Sequence, residues 1–376
     1  MNILLLDQFG ELGGAQRCLL DEIPAMHARG WNVHLAAPAN GQLTERTAAL
    51  GATVDPIRCG PYSSGTKTLA DMARFAAEAP RLSGEIRGLV RRYGANLVYV
   101  NGPRLLPAAA LAVANAASKS PPVLFHSHSL LDGPARWLAG RSIARVRAAT
   151  VAACRFVATP LLPYSGDRGI RVVYNGVRRI SLPSRPPTGE FRIGLIGRIS
   201  PEKGQADFLQ AARILHHAAP QCRFLICGAP LFSDPAAMQY CAALEALAAG
   251  LPVEFAGWTD EVESVFATLD LLVVPSTPVD ATPRVILEAF AAGVPVLAFA
   301  SGGIPELIEH GVTGFLVEER SPEALALAML DAIESPIRLR QAAEKARAKA
   351  RTEFSLERYR AQMIEAIEAA LPREVN

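Results

Sequence analysis

The chain has 376 residues, half of them apolar and only 20% charged, so it buries a large core and is not disordered. Its length suits two domains, and a net charge of +2 argues against a protein that coats nucleic acid, whose domains are strongly basic. That near-neutrality is a cancellation: residues 1–185 hold 22 Lys+Arg and 11 Asp+Glu (+11), and the remainder hold 16 and 25 (−9).

Residues 3–6, Ile-Leu-Leu-Leu, have no basic stretch before them and stop at Asp7. They predict a buried first strand rather than a secretory leader. Gly10-Glu11-Leu12-Gly13-Gly14-Ala15 follows and leads into a helix from near Gln16. Paired glycines let backbone N–H groups approach an anion at a helix N-terminus, although the same residues also serve as a plain tight turn. The spacing is not GxGxxG, and no acidic residue ends the second strand as a dinucleotide site requires.

Residues 33–36, 97–100, 123–125 and 172–174 predict further buried strands. Their continuous apolarity suits a parallel sheet covered by helices on both faces. Phe125-His126-Ser127-His128-Ser129 ends one of them. A histidine there either meets substrate hydroxyls or is held structurally; a metal would need further ligands at matching spacing, and none is nearby. Residues 136–147 are basic and amphipathic, with Trp137 among Arg136, Arg141, Arg145 and Arg147. Such a stretch rests on anionic lipid or is the solvated face of an ordinary helix.

Residues 181–190, with three prolines and a glycine, form the best linker in the chain. Beyond it, strands are predicted at 192–196, 223–227, 253–255, 271–274, 294–298 and 314–317, and helices at 204–217, 235–249, 260–269, 284–292 and 322–333. The expected architecture is therefore α/β, with two doubly wound domains facing each other across a cleft. A last helix over 355–371 places Tyr359, Met363, Ile364, Ile367 and Leu371 on one stripe.

Two motifs of the second half carry charge at loop positions. Gly197-Arg198-Ile199-Ser200-Pro201-Glu202-Lys203-Gly204 sets two cations five residues apart around a turn into a helix. They clamp a diphosphate, Arg as a fork and Lys as a point charge, or form a solvated pair. Asp280 and Glu288 bracket a loop and the first turns of a helix. Ionised carboxylates accept from both hydroxyls of a sugar or ribose diol; the alternative is a polar surface stripe. The six cysteines include no CxxC pair and sit mostly in apolar runs, as buried thiols in a reducing, cytoplasmic compartment do. No apolar run reaches the length of a bilayer span.

Together these motifs are recognisable. Gly13-Gly14-Ala15, His128, Tyr174-Asn175-Gly176-Val177, Gly197-Arg198, Glu202-Lys203-Gly204, Asp280 through Glu288, Gly302-Gly303-Ile304-Pro305-Glu306 and Gly311 through Val317 occur in order over nearly the whole chain. In this the sequence resembles the retaining GT-B glycosyltransferases of the family-four type, which use nucleotide-sugar donors. The resemblance implies an N-terminal acceptor-binding Rossmann-like domain over 1–180. It implies a C-terminal donor-binding domain over 191–354, and a helix over about 355–376 that packs back on the first. It implies that Arg198 and Lys203 hold the donor diphosphate, Glu288 the ribose and Asp280 the donor sugar. Ser301, Gly302 and Gly303 border the sugar, and Gly257-Trp258-Thr259 the base.

His128 is placed at the reacting centre, with His126 second to it, and Gly13 and Gly14 approach the diphosphate from the other domain. His128 and Asp280 are thus the expected catalytic residues. No cofactor and no catalytic metal are implied, the nucleoside-diphosphate sugar being a substrate. The partners implied are that donor and a saccharide or lipid-linked acceptor, in cell-envelope polysaccharide or glycolipid synthesis, with a membrane surface as a further partner and no nucleic acid. The family's usual Glu is Asp280 here, and Arg284 adds a cation that contacts a phosphate or pairs with Asp280. A sugar-nucleotide epimerase or a non-catalytic sugar-nucleotide-binding protein would use the same scaffold.

Overall fold

In a computed structural model of the chain, the described residues are all but 40, 61–68, 115–119, 184–188, 231–234, 277–279 and 373–376, with backbone alone for 69–74 and 235–236. The proline-rich middle of the expected linker, 184–188, lies outside the described residues. The chain divides into two compact units, Met1–Asn175 with Leu356–Asn376, and Gly176–Ser355. Counted over those units, the first holds 22 Lys+Arg and 15 Asp+Glu (+7) and the second 16 and 21 (−5).

The first unit is built on seven parallel strands: β1 (Asn2–Asp7), β2 (Asn32–Ala37), β3 (Thr53–Pro56), β4 (Leu97–Asn101), β5 (Val123–Ser127), β6 (Ala149–Ala152) and β7 (Ile170–Val172). Between them run α1 (Gly14–Ala28), α2 (Gln42–Ala49), α3 (Leu69–Tyr93), α4 (Leu106–Ala114), α5 (Gly133–Val146) and α6 (Arg155–Ala158). In the order β3-β2-β1-β4-β5-β6-β7 the chain winds outward from β1, then returns to start again at β4. Side chains alternate across β1, so Ile3 and Leu5 enter one apolar layer and Leu4 and Leu6 the other. Each layer needs its own helices, which is why β1 reads as an unbroken apolar run. The expected strand at 172–174 is shifted: β7 covers Ile170–Val172.

The second unit repeats the plan with β8 (Phe191–Ile196), β9 (Cys222–Cys227), β10 (Val253–Gly257), β11 (Leu271–Val274), β12 (Val296–Phe299) and β13 (Phe315–Val317), in the order β10-β9-β8-β11-β12-β13. Its helices are α7 (Gln205–Ala218), α8 (Pro235–Ala248), α9 (Val262–Phe266), α10 (Arg284–Ala292), α11 (Ile304–Leu307), α12 (Pro322–Glu334) and α13 (Pro336–Thr352). Here the winding reverses between β8 and β11. In such sheets ligands bind beyond the carboxyl ends of the strands at the reversal. The expected helix over 260–269 shortens to α9, and β12 starts two residues late because Gly293 ends α10 left-handed (φ 77°) and Pro295 follows.

The final helix, α14 (Leu356–Ala370), returns to the first unit. Its Leu356, Tyr359, Met363, Ile364 and Ile367 complete the layer that holds Ile3 and Leu5. The six cysteines are free, four of them buried.

Candidate functional site

In the second unit the expected residues gather at the reversal between β8 and β11. The loop after β8 carries Gly197 and Arg198, then a short 3-10 turn, Pro201–Lys203, ends at Gly204. Gly204 is left-handed (φ 71°), and a Cβ there would stand 2.0 Å from the Pro275 carbonyl oxygen. Only glycine lets the start of α7 come this close to the segment after β11. That approach brings Lys203 to Asp280, Nζ to Oδ2 at 2.6 Å, although 77 residues separate them. Buried Gln205 donates to the Arg198 carbonyl at 2.7 Å, fixing the loop backbone.

Each remaining charge in the cluster has an opposite neighbour. The Arg198 guanidinium pairs with Glu202, and the Arg284 Nε lies 3.9 Å from Glu288 Oε1 one helical turn on. Of the two expectations for Arg284, contact with a phosphate or pairing with Asp280, the second meets a competitor: Arg284 stands beside Glu288, and the Asp280 carboxylate is held by Lys203. After β12, the Ser301 hydroxyl donates to the Ser276 carbonyl at 2.6 Å, tying this loop to the one after β11. Gly302 (φ 56°) and Gly303 then turn the chain into α11.

In the first unit Gly13 and Gly14 open α1, and His128 lies one residue past β5. The two are joined through buried polar groups that the sequence did not single out. The Gly13 N–H donates to Gln16 Oε1 (3.1 Å), and Gln16 Nε2 donates to both carboxylate oxygens of Asp7 (3.0 and 3.1 Å). Asn101 Nδ2 donates to Asp7 Oδ2 (2.6 Å), and His128 Nε2 lies 2.7 Å from Asn101 Oδ1. Burial lifts the Asp7 carboxyl to about 6, against the hydrogen bonds from Asn101, Phe9 and Gln16. The available signal was that β1 and β4 each end on a polar residue at the carboxyl edge of a parallel sheet.

His126 behaves differently. Strand alternation turns it onto the Leu124 side of β5, toward α1 and α14, and it is fully buried. Its Nδ1 lies 2.7 Å from the Tyr99 hydroxyl, and Tyr99 and Tyr359 both donate to Glu22 Oε1. Burial drives the His126 imidazole well below its usual range and lifts Glu22 to about 8, so both are neutral at pH 7. The expectation that His126 seconds His128 at a sugar is therefore overturned: it is fully buried and touches the site only through the His128 ring, whose centre lies 3.8 Å from its own.

Among the described residues no three His, Cys, Asp or Glu side chains cluster as metal ligands do, and no helix is long and apolar enough to cross a membrane. On α5, Arg136, Arg141 and Arg145 are exposed beside Trp137, which is 55% exposed, and the Arg141 guanidinium lies 5.2 Å from the centre of its ring. The opposite side of α5 is fixed by Gly140, where a Cβ would stand 2.4 Å from the Tyr164 ring.

Known proteins fit this geometry. Residues 12–179 match glycosyltransferase family 4, and residues 178–349 match glycosyl transferases group 1. The sulfoquinovosyl transferase SQD2 of Arabidopsis thaliana is 27% identical over 269 residues, 64% of this chain and 49% of that protein. The D-inositol 3-phosphate glycosyltransferase of Corynebacterium glutamicum is 32% identical over 154 residues, 39% of this chain and 37% of that one. The matched stretches thus span less than half the length of these relatives. Anabaena Alr3699/HepE, solved with UDP-glucose, superposes with a TM-score of 0.81 at 25% identity, covering 98% of this chain and all of that one.

Proposed function

The chain belongs to the GT-B glycosyltransferases of the family-four type, and from that premise we propose that it moves a sugar from a nucleoside-diphosphate donor to an acceptor with retention of anomeric configuration. The observation that carries this reading is the meeting of Lys203 and Asp280 at the winding reversal of the second unit, with Arg198 and Glu288 beside the same strand ends. Lys203 and Arg198 take the diphosphate, exchanging Asp280 and Glu202 for phosphate oxygens. Asp280 then accepts from hydroxyls of the donor sugar and Glu288 from the ribose diol. Gly302 and Gly303 border the sugar with backbone.

In the reaction the bond from the anomeric carbon to the phosphate oxygen breaks, and the acceptor oxygen bonds to that carbon on the same face. The acceptor's proton passes to the leaving phosphate. The two cations stabilise the charge growing on the diphosphate, each donor of this kind contributing about 3 kcal/mol. They take the part that a metal plays elsewhere, so activity should survive chelation by EDTA. In the first unit His128 acts on the sugar being transferred, and Gly14 offers its backbone N–H to anionic oxygens, while the N–H of Gly13 is held by Gln16 and shapes the loop.

The acceptor is a saccharide or a lipid-linked sugar of cell-envelope polysaccharide or glycolipid synthesis. The exposed Trp137, Arg141 and Arg145 of α5 suit a cytoplasmic protein that rests on an anionic membrane surface. The decisive experiment is a donor panel followed by nucleoside diphosphate release, then an acceptor screen on the best donor. Lys203→Ala and Glu288→Ala should each lower donor turnover, the first by about 100-fold. Unchanged turnover in both would sink the site assignment, and product from the donor without any acceptor would favour an epimerase.

A further inference from the structure

The neighbouring strands β1, β4 and β5 end together, with Asp7 opposite Asn101 and Asn101 opposite His126 in register. The hydrogen bonds beyond these ends run in one direction only. Asn101 Nδ2 faces two acceptors, Asp7 Oδ2 at 2.6 Å and the Ala15 carbonyl at 3.3 Å, so the amide nitrogen must point there. Its Oδ1 is then the atom 2.7 Å from His128 Nε2. An amide oxygen can only accept, so Nε2 carries a hydrogen in the neutral and the protonated imidazole alike.

The opposite branch is equally directional. Gln16 accepts from the Gly13 N–H through Oε1, which leaves its Nε2 to face both oxygens of Asp7. The Phe9 N–H adds a further donor to Asp7 Oδ1 at 2.9 Å. Asp7, Asn101 and Gln16 are all buried, at 0, 2 and 5% exposure, so no water competes for these bonds. Asp7 is surrounded by donors, and that set of partners fits a carboxylate and orients both amides at once.

We propose that Asn101, itself oriented by Asp7, is a positioning residue for His128: it fixes the imidazole hydrogen on Nε2, so that protons are exchanged and sugar hydroxyls met at Nδ1. This rests on the assignment of His128 to the sugar-transfer site. Asn101 and Asp7 touch no substrate themselves and act through the ring. The same carboxylate holds the Gly13 loop through Gln16, so one buried anion sets two parts of the site.

The test is a long-range proton–nitrogen correlation spectrum of the full chain labelled with ¹⁵N-histidine, the His128 peaks being assigned by their loss in His128→Ala. Above the titration of the ring, the wild-type spectrum should show a protonated Nε2 and an unprotonated Nδ1. In Asn101→Ala the two nitrogen shifts should converge as the tautomers mix. There kcat should fall about tenfold with the donor KM within twofold, the lower end of the cost of removing an orienting hydrogen-bond partner from a metal-bound histidine. A hydrogen on Nδ1 in the wild type overturns the proposal, whether or not Asn101→Ala folds. So does an Asn101→Ala enzyme with unchanged kcat and unchanged tautomer while His128→Ala loses turnover. Wild-type turnover in His128→Ala is a different result, because it removes the underlying site assignment as well.

Discussion

The two units repeat one winding plan, yet they hold their candidate groups by opposite means. In the first unit, hydrogen bonds between buried side chains run from the Gly13 loop to His128, and each has a defined donor and acceptor. In the second, Arg198, Lys203 and Arg284 sit in ion pairs with side chains 13 to 29% exposed. Buried directional bonds keep a geometry in place before any ligand arrives. Partly exposed ion pairs are individually weak, so phosphate oxygens can take over the cations at little cost. One unit is set in advance; the other is balanced to be exchanged.

That contrast can be broken most strongly at Glu22. Its folded pKa, about 8, lies above the ordinary 4.5, so the folded chain binds this proton more tightly than the unfolded one. The resulting stability is fully present below pH 4.5 and is lost as pH rises through 8, on the order of 3–5 kcal/mol across that window. Hydrogen exchange should show protection in β1, β4 and α14 falling with pH, and Glu22→Gln should flatten that fall. An equal slope in the second unit would erase the distinction. The groups around Glu22 are Asp21, Tyr99, Tyr359, Cys18 and His126, and of these Asp21 pushes in the same direction.

A smaller effect is expected at α5. With +7 on the first unit and −5 on the second, binding to vesicles containing anionic lipid should depend on the first alone. Arg141→Ala should weaken co-sedimentation by about fivefold, near 1 kcal/mol for one cation at a membrane surface. Equal binding to neutral vesicles would remove the membrane partner. The smallest effect is at Asp280. Asp280→Asn removes the carboxylate that occupies Lys203, so calorimetry should give about threefold tighter nucleoside diphosphate binding, as befits a partly exposed pair. Weaker binding would mean that Asp280 supports Lys203 rather than competing for it.

Strands buried on both faces were legible because nothing polar interrupts them, as β1 and β11 illustrate. β3, an edge strand with half-exposed Val54 and Asp55, and β6, four residues of Ala, Thr and Val, offer no such run. α13 escaped because alanines among arginines and lysines give a weak apolar stripe. The charged candidates were legible as residue types at loop positions. Their partners were not: the Lys203–Asp280 pair depends on β8 lying beside β11, which local pattern does not reveal. Asp7 and Asn101 were visible as polar strand ends, but their link to His128 needs the register of three strands.

The placement of α14 has a consequence for synthesis. The ribosome completes residues 1–175 and must then make the 180 residues of Gly176–Ser355 before this helix emerges. At 5–20 residues per second, Ile3, Leu5 and Glu22 wait roughly 10–40 s for the side chains that cover them. During that interval the nascent first unit shows an apolar face to chaperones, while the second unit, continuous in the chain, is free to fold ahead of it.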